Sequence, residues 1–431
     1  MKSRKPGYGL RLFSANRLDL FCMLLLLVLI AADAQQIEDH RPPQQSPMGV
    51  STGPPHAAVT DAQSRPITAG GFVDGAPVIF EDATRRSGLD QFHHHSGSPD
   101  KATILESVGS GLALLDYDND GWLDIYLLNG STFAALHGQE PAPRAMLFHN
   151  NHDGTFTETG LLAGVAFDSN GRSQAGMGVD AADYDGDGRL DIIKSNFSDE
   201  TPTLYHNEGH GFFTDVTFPA GLGGATRSVK WGTAFLDFDN DGRPDLLIVS
   251  GPIYPPGITG RHRMADQEGR KLLYHNTGNG RFEDVSDRSG AGMLETRCSR
   301  GLAVGDIFRR GQVDAVINNI NDRATLLQNQ APSPNSWLLI RLIGTKTNRA
   351  AIGSRVLVEA DGRRQVQEVR SGGSFCSQSD LRLHFGLGRA RESQRIEVQW
   401  LSGAKEILEH VSANHLVTIQ EGKGIVSQES W

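Results

Sequence analysis

Short runs of hydrophobic residues alternate with polar and glycine-rich turns along most of the chain, and one pattern returns four times. Each copy begins with small and apolar residues, passes through a polar turn and ends in an apolar segment such as LDIYLL or PDLLIV. Short apolar segments bounded by turn residues are typical of β-strands. The copies span Gly111–Gly130, Gly178–Phe197, Gly232–Gly251 and Gly301–Ile320.

A second element follows each of these copies. It reads LFHNNHDGTFTET from Leu147, LYHNEGHGFFTDV from Leu204 and LYHNTGNGRFEDV from Leu273, with a relic, LLQNQ, from Leu326. Asn, Gly and Asp at its centre predict a hairpin turn. A unit of several short strands and about 60 residues cannot bury both of its faces alone, whereas radial stacking of such units buries them. The sequence therefore predicts an all-β fold, with a β-propeller of about four blades over residues 77–333.

Both ends of the repeat region carry further strand signals. The segment VIFEDAT, from Val78, matches the closing strand of the unit, so we expect it to complete the last blade. Residues 334–423 lose the repeat but keep alternating segments such as NSWLLIRLIG, RIEVQW and HLVTIQ, with a hairpin turn at Asp361-Gly362. These segments predict a separate small all-β domain, followed by a tail over residues 424–431.

The first residues have the pattern of an export signal. Residues 1–34 combine a basic start, an apolar core from Leu20 to Ile30 and the small-residue site Ala32-Asp33-Ala34, which predicts cleavage before Gln35. An uncleaved membrane anchor is the alternative. Residues 35–76 are rich in Gln, Pro, Ser and Thr and predict a disordered linker. The expected location is therefore secreted, periplasmic or at the cell surface, with no membrane insertion after cleavage.

Composition narrows the range of partners. The 431-residue chain has a formal net charge of -10, which disfavours nucleic acids and anionic membranes and favours cations. Export would permit a disulfide. Whether Cys298 and Cys376 pair or stay as free thiols is left open by the sequence.

The strongest chemical signal is the pattern D-x-D-x-D-G-x-x-D, which occurs in the first three copies. Alternate aspartates in a tight loop direct their oxygens to one centre, and the glycine at the sixth position permits the turn. The seventh residue needs only its backbone carbonyl, which explains why its side chain varies. The predicted ligands are Asp116, Asp118, Asp120, Trp122 and Asp124; Asp183, Asp185, Asp187, Arg189 and Asp191; and Asp237, Asp239, Asp241, Arg243 and Asp245.

Such a flexible ring of hard oxygens suits Ca²⁺ better than Mg²⁺, which prefers a strict octahedron and retains water. The alternative is three acidic turns without a metal, but four converging carboxylates would repel one another. We therefore expect about three Ca²⁺ ions with a structural role. In the fourth copy Phe308 and Arg310 replace two aspartates. There we expect Arg310 to pair with the remaining Asp306 and Asp314 in place of a metal.

These stretches resemble the FG-GAP/VCBS repeats of secreted propeller proteins and, more narrowly, the cartilage acidic protein family, whose bacterial members carry a C-terminal ASPIC/UnbV domain. The resemblance rests on GSGLALLDYDNDGWLDIYLLNG, on RSQAGMGVDAADYDGDGRLDIIKSNFSDETPTLYHNEG and on the segment from NSWLLIRLIG to LRLHFGLG. It implies a propeller, calcium in the aspartate loops, an extracellular or periplasmic location and a role in adhesion or matrix binding. Members of the family usually carry more repeats. The ring could therefore be compact with four blades, open, or completed by another chain.

Other motifs are weaker. The run His93-His94-His95 is either a transition-metal site or a polar loop entering the first blade, and the loop is favoured. His149, His206 and His275 share one repeat position, which favours a structural role. The Pro- and Gly-rich insertion Gly251–Arg270 is either inert or a ligand-binding loop, with Tyr254, Arg261, His262 and Arg263 as contacts.

No catalytic motif stands out. Ser374, Cys376 and His384 could be imagined as a nucleophile site, but their segment is more typical of a turn and strand. The expected function is an extracellular binding, adhesion or scaffold protein with a protein or glycan ligand. One alternative is a secreted propeller enzyme acting on polysaccharide or with a bound cofactor. Another is an assembly protein whose C-terminal domain pairs with a partner by strand addition.

Overall fold

The computed structural model describes residues 81–97, 111–130, 132–136, 138–252 and 269–430. The signal segment, the linker, Val78 and the contact residues predicted in the Gly251–Arg270 insertion lie outside these ranges. Within them, helix is confined to single turns, and no helix is long and apolar enough to cross a membrane. The helices are α1 (Phe133–Leu136), α2 (Gly160–Ala163) and α3 (Ala291–Leu294), with 3₁₀ turns at Leu89–Gln91 and Ser286–Arg288.

The repeats form antiparallel sheets whose strands follow sequence order, as blades of a propeller do, which confirms the predicted all-β fold. Blade 1 consists of β1 (Leu112–Leu115), β2 (Asp124–Leu127), β3 (Met146–Asn150) and β4 (Phe156–Glu158). Blade 2 consists of β5 (Gly176–Ala182), β6 (Asp191–Asn196), β7 (Thr203–Gly209) and β8 (Phe212–Asp215). Blade 3 consists of β9 (Lys230–Leu236), β10 (Asp245–Ser250), β11 (Lys271–Gly278) and β12 (Arg281–Asp284).

Blade 4 has three strands among the described residues, namely β13 (Ser299–Gly305), β14 (Asp314–Asn319) and β15 (Thr325–Leu327). The fourth strand that we expect from Val78 therefore stays a prediction. Consecutive blades pack face to face. We call the face that a blade turns to the following blade its leading face, and the opposite one its trailing face. Leu115 and Tyr126 on the leading face of blade 1 pack with Val179 and Ile192 on the trailing face of blade 2.

The same packing joins blade 2 to blade 3 and blade 3 to blade 4. Because blades 2 and 3 have a neighbour on each side, every residue of β6 and β10 is buried. This burial explains why their segments read as continuous apolar runs rather than as alternating ones.

The C-terminal region is a sandwich of two four-stranded sheets, in the orders β19-β16-β22-β23 and β18-β17-β20-β21. Side chains from both sheets, among them Leu338, Phe385, Val356 and Ile396, fill its core. The strands are β16 (Ser336–Ile343), β17 (Arg355–Ala360), β18 (Arg363–Glu368), β19 (Leu383–Gly388), β20 (Glu392–Gln399), β21 (Lys405–Ser412), β22 (His415–Gln420) and β23 (Gly424–Ser430).

The tail predicted over residues 424–431 is wrong for residues 424–430, and Trp431 lies outside the described residues. Gly424–Ser430 forms β23, which pairs antiparallel with β22 and extends the sheet by one strand. Its side chains are largely exposed, so the backbone pairing, rather than a hydrophobic pattern, defines this strand.

The connection between β18 and β19, residues 369–382, reaches the innermost strands of the propeller. We call this connection the plug. Ser374 forms a β-bridge with Val179 of β5, the ring of Phe375 lies 5.1 Å from that of Trp231 of β9, and Asp380 donates its N–H to the carbonyl of Val304 of β13. The sandwich is therefore anchored in the propeller through three inner strands.

Candidate metal centres

Each acidic loop lies between the first and second strands of its blade, and its first aspartate organises it. The carboxylate of Asp116 accepts the N–H groups of Asp120 and Gly121, at 3.0 Å each. Gly121 has a φ of 92°, in the region that glycine adopts without strain. Asp237 accepts the equivalent N–H groups of Asp241 and Gly242, and Asp183 accepts those of Gly186 and Gly188. The backbone thus holds the first carboxylate in place.

The ninth aspartate fixes the loop to the blade. The carboxylate of Asp124 is fully buried and accepts the N–H of Tyr117 at 3.2 Å and that of Asn150 at 2.8 Å. Asp191 and Asp245 are equally buried and accept the same two N–H groups in their blades. These hydrogen bonds hold the loop in a conformation that can receive an ion.

Histidine adds a ligand type that the sequence reasoning missed. His149 Nδ1 lies 3.3 Å from Asp118 Oδ2 and 3.4 Å from Asp124 Oδ1. His206 approaches Asp191 and Asp185 at 3.2 and 3.4 Å, and His275 approaches Asp245 at 3.1 Å. The signal was present in the chain, because the fourth copy, which lacks the middle aspartates, has Gln328 at this position.

The side chains of each loop converge closely enough to hold a metal ion. Candidate ligand atoms within 4.8 Å of one another occur in clusters of two kinds, the alternate aspartates of one loop and aspartates with the histidine. The clusters are Asp116, Asp118 and Asp120; Asp183, Asp185 and Asp187; Asp118, Asp124 and His149; Asp185, Asp191 and His206; and Asp239, Asp241 and His275. Ten of the twelve predicted aspartates therefore lie in these clusters, and three blades carry a candidate centre.

Without a cation these carboxylates are poorly stabilised as anions. Burial raises the pKa of Asp116 to about 6 and that of Asp124 to about 8. In the second loop, burial and then repulsion from Asp191 and Asp187 raise the pKa of Asp183 to about 7. The hydrogen bond with Asp191 raises the pKa of His206 to about 9, so a protonated imidazole offsets part of the negative charge. The electrostatics favour a bound cation.

The donor set fits a divalent cation. Carboxylate oxygens at the first, third and fifth positions are the hard ligands that Ca²⁺ takes, and they are arranged in a loop with a permissive glycine. The adjacent imidazole nitrogen is a ligand that Mn²⁺, Zn²⁺ or Cu²⁺ uses more readily than Ca²⁺. Oxygen ligands outnumber the nitrogen in every loop, so the donor set consists mainly of hard oxygens.

The side chains at the seventh position of each loop make contacts that the sequence did not predict. Arg189 pairs with Asp187, and its Nε donates to the carbonyl of Asn207 at 2.6 Å. Arg243 pairs with Asp241 in the same way. The Trp122 ring stacks on that of His152, with centroids 4.8 Å apart. These side chains hold the fifth aspartate or cover the loop, in addition to any contribution of a backbone carbonyl.

The fourth loop keeps the fold of the others with a different charge balance. Asp306 accepts the N–H groups of Arg310 and Gly311, as the first aspartate does elsewhere. The Arg310 guanidinium forms an ion pair with the buried Asp314 at 2.8 Å. The expected pairing of Arg310 is thus confirmed for Asp314, while Asp306 is held through the backbone.

The C-terminal sandwich rests on the acidic loops. The guanidinium of Arg355 bridges the first two loops, through the side chain of Asn119 and the carbonyl of Gly188. Arg363 and Asn335 donate to carbonyls of Asp241 and Asp239 in the third loop, the latter at 3.0 Å. The same loops carry the candidate ligands. The conformation of these loops therefore affects the position of the sandwich on the propeller.

A cavity of about 560 Å³ lies where the inner strands, the plug and the sandwich meet. Its lining mixes polar and apolar residues and contains two ion pairs, Arg370 with Asp180 and Arg382 with Asp380. Three buried lining atoms have no hydrogen-bond partner, namely Thr233 Oγ1, Glu368 Oε1 and His384 Nδ1. The cavity therefore offers unused hydrogen-bonding capacity.

The weaker motifs have structural partners. Asn129 accepts the N–H of His95 and donates to the carbonyl of His93, which fixes this run at the entry to blade 1. Ser374 Oγ accepts the N–H of Thr233, and His384 Nε2 lies 3.2 Å from the carbonyl of Gly311, so the two bind different blades. Cys298 is buried, Cys376 is exposed, and both are free thiols.

Comparison with known proteins agrees with this architecture. Residues 116–193 match the FG-GAP-like repeat family, and residues 344–426 match the ASPIC and UnbV family. These two matches confirm the resemblance seen in the sequence, because one segment is similar to FG-GAP-like repeats and the C-terminal segment is similar to the ASPIC and UnbV family.

Among named proteins, it is distantly similar to cartilage acidic protein 1. The mouse protein is 27% identical over 302 residues, or 68% of this chain and 43% of the relative. The human protein is 25% identical over 302 residues, or 68% of this chain and 42% of the relative. The chain therefore spans less than half the length of the curated relatives it matches. An Agrocybe aegerita lectin that recognises non-reducing terminal N-acetylglucosamine is 20% identical, with a TM-score of 0.28 over 50% of this chain and 51% of the lectin.

Proposed function

We propose that this protein is an exported, calcium-stabilised propeller that acts as a binding or scaffold protein. The observation that carries the proposal is that the same acidic loop, held by backbone hydrogen bonds, occurs in three blades. The sandwich contacts all three of these loops. The fourth loop supports the same interpretation, because an internal arginine replaces the cation where two aspartates are lost.

Calcium would act through folding. An ion held by one loop ties together the first and second strands of a blade, and it also relieves the repulsion among the buried carboxylates. Because Arg355 and Arg363 contact the loops, the ions would also order the surface on which the sandwich rests. Anything that binds only the folded state raises its stability in this way.

The binding role is supported by the cavity between the inner strands and the plug. Its volume falls in the range of about 300–1,000 Å³ that small-ligand sites occupy. Four of its charged groups pair with one another, and the unpartnered hydroxyl, carboxylate and imidazole atoms are available to a polar ligand such as a glycan. A protein ligand on the outer surface is the alternative. The signal segment of residues 1–34 supports export, and both the location and the ligand belong to the proposal.

Thermal unfolding of the full chain in EDTA, CaCl₂ and MgCl₂ tests the calcium proposal. We expect calcium to raise the melting temperature by several degrees and magnesium to raise it less. Asp237→Asn should reduce the calcium-dependent shift, because it removes one loop's first carboxylate. The matched control is Asp306→Asn in the fourth loop, which should leave that shift unchanged. Equal melting temperatures in EDTA and calcium would show that the loops are acidic turns and nothing more.

A further inference from the structure

The two ends of the blade stack expose surfaces that are buried elsewhere in the propeller. Leu112 lies on the trailing face of blade 1 and is 54% exposed, whereas Val179, its counterpart in blade 2, is 1% exposed. Leu326 lies on the leading face of blade 4 and is 50% exposed, whereas Leu204, its counterpart in blade 2, is 0% exposed. These residues are apolar, like the residues of the blade interfaces, but they are exposed.

Further residues on the same two faces behave alike. Leu114 shares the trailing face of blade 1 with Leu112 and is also exposed. Ile307 and Val316 are exposed on blade 4, although the matching Tyr117 and Tyr126 of blade 1 are buried. We call the first surface the trailing end and the second the leading end. In a closed four-blade ring they would pack on each other, but they are exposed, so the described residues do not close the ring.

A hydrogen bond between blades points to the same conclusion. The Asn207 side chain of blade 2 donates to the carbonyl of Tyr117 in blade 1 at 2.7 Å, and two further blade junctions repeat this bond at the same distance. Asn150 is the matching donor of blade 1, and within the described ranges its amide donates only to Leu123 of its own blade, at 3.0 Å. The matching acceptor on blade 4 is the carbonyl of Ile307. Among the described residues, one end therefore has the donor and the other end the acceptor of a bond that is made at the three blade junctions.

The outer rim of the trailing end is already covered by the chain's own segment before blade 1. A docking partner can therefore contact only the remaining part of this surface. The segment before blade 1 places Gly88 against the carbonyl of Phe156, and Phe156 donates its N–H to Ser87 at 2.8 Å. Gly164 and Gly221 take the same place against Phe213 and Phe282 where one blade follows another. The chain thus enters blade 1 as it enters blades 2 and 3, and no described residue occupies the position of a preceding blade.

We propose that the leading end of one copy of this chain docks on the trailing end of a second copy. Leading and trailing faces pack together three times within the chain, so each copy carries both halves of an interface that is already observed. Two copies related by a twofold axis then make two such contacts and together form a closed ring. Each leading end is paired with a trailing end, so neither kind of end stays exposed. Asn150 of one copy would reach Ile307 of the other.

Sedimentation velocity of the full chain in calcium tests this proposal. We expect twice the mass of one chain, with a shift to the single-chain mass on dilution. Leu112→Asp and Leu326→Asp should each lower the dimer affinity by at least about tenfold, since an aspartate would be buried in an apolar interface. Leu162→Asp is the matched control, because Leu162 is exposed away from both ends and its change should leave the mass unchanged.

Mixing the two end variants separates this arrangement from others. Each variant alone places an aspartate in both contacts of the dimer, whereas a mixed dimer has one contact that is fully native. The mixture should therefore recover part of the doubled mass. A single-chain mass for the unmodified protein at every concentration would overturn the proposal. If the end variants then also lowered the melting temperature, the two ends would be closing on each other within one chain. Growth beyond two copies would equally contradict a closed pair.

Discussion

At the residue scale, several buried carboxylates of this protein are held by backbone N–H groups. Carboxylates of the acidic loops are among them, and so is Glu421 at the end of β22. Glu421 is 3% exposed and accepts N–H groups from Thr345, Lys346 and Thr347 at 2.7, 2.7 and 3.0 Å. Such carboxylates make stability depend on pH.

Glu421→Gln should destabilise the sandwich at neutral pH. Burial alone would raise the pKa of Glu421, but hydrogen bonds from Ser402, Thr347, Thr345 and Lys346 lower it from 4.5 to about 2. The stabilisation is therefore present above pH 4.5 and is lost as the pH falls toward 2. We expect a loss on the order of 2 kcal/mol at pH 7. Urea unfolding at pH 7 and pH 3 measures it, and the difference between variant and parent should shrink at pH 3.

Glu429→Gln on the exposed β23 is the control for this variant and should change little at either pH. A loss for Glu421→Gln that is the same at both pH values would contradict the role given to the charge.

The histidines carry a second prediction at this scale. His206→Gln copies the residue found in the fourth blade and removes the imidazole from the second centre. We expect Mn²⁺ affinity there to fall by about tenfold and Ca²⁺ affinity to fall less, because Ca²⁺ prefers oxygen ligands. Competition titrations of both ions against the parent protein measure the ratio. A larger loss for Ca²⁺ than for Mn²⁺ would mean that the imidazole serves to hold the aspartates rather than the metal.

At the scale of the element, one loop design is used four times with two ways of balancing its charge. Three copies collect carboxylates and a histidine, and the fourth uses the ion pair between Arg310 and Asp314. In all four loops the carboxylate of the first aspartate accepts two backbone N–H groups. The loop fold therefore depends on the first and ninth aspartates, and the third and fifth positions decide whether a cation is needed.

Replacing both Phe308 and Arg310 by aspartate should convert the fourth loop into a metal-dependent one. The double variant restores D-x-D-x-D-G-x-x-D and removes the internal cation. We expect it to be less stable than the parent in EDTA and to bind one more Ca²⁺ per chain. Calorimetric titration of the metal-free protein counts the ions. An unchanged count would show that the aspartate pattern is not sufficient for binding.

The sequence predicted the blades and the acidic loops because both are local and repeated. The role of His206 was not evident, since it lies on the third strand and meets the loop only when the blade folds. Arg355 is likewise far from Asn119 in the chain, and no local sequence pattern predicts their contact. The strand Gly424–Ser430 was missed because it is largely exposed and has no apolar face to mark it.

At the scale of the whole molecule, the sandwich and the propeller are joined at two places, through the acidic loops and through the plug. Phe375 of the plug lies against Trp231, together with Met177 and Val229. The indole of Trp231 also lies under the guanidinium of Arg300, 3.9 Å from the ring centre. This small cluster is the apolar part of the anchor.

Phe375→Ala should loosen the sandwich from the propeller. The lost ring contact with Trp231 should reduce the free energy of unfolding by about 2 kcal/mol, since Phe375 is only partly buried. Urea unfolding followed by tryptophan fluorescence measures the loss. Phe218→Ala is the matched control, because Phe218 is largely exposed, and it should change stability by less than about 0.5 kcal/mol. Equal effects of the two changes would argue against the plug as an anchor.

Counting the ions bound by the metal-free full chain tests the central claim most directly. In a calorimetric titration with CaCl₂ the three braced loops predict about three ions per chain. Asp191→Asn, which alters the buried ninth position of the second loop, should reduce the count to about two. No binding, or a count that Asp191→Asn leaves unchanged, would contradict the assignment of the loops as calcium centres.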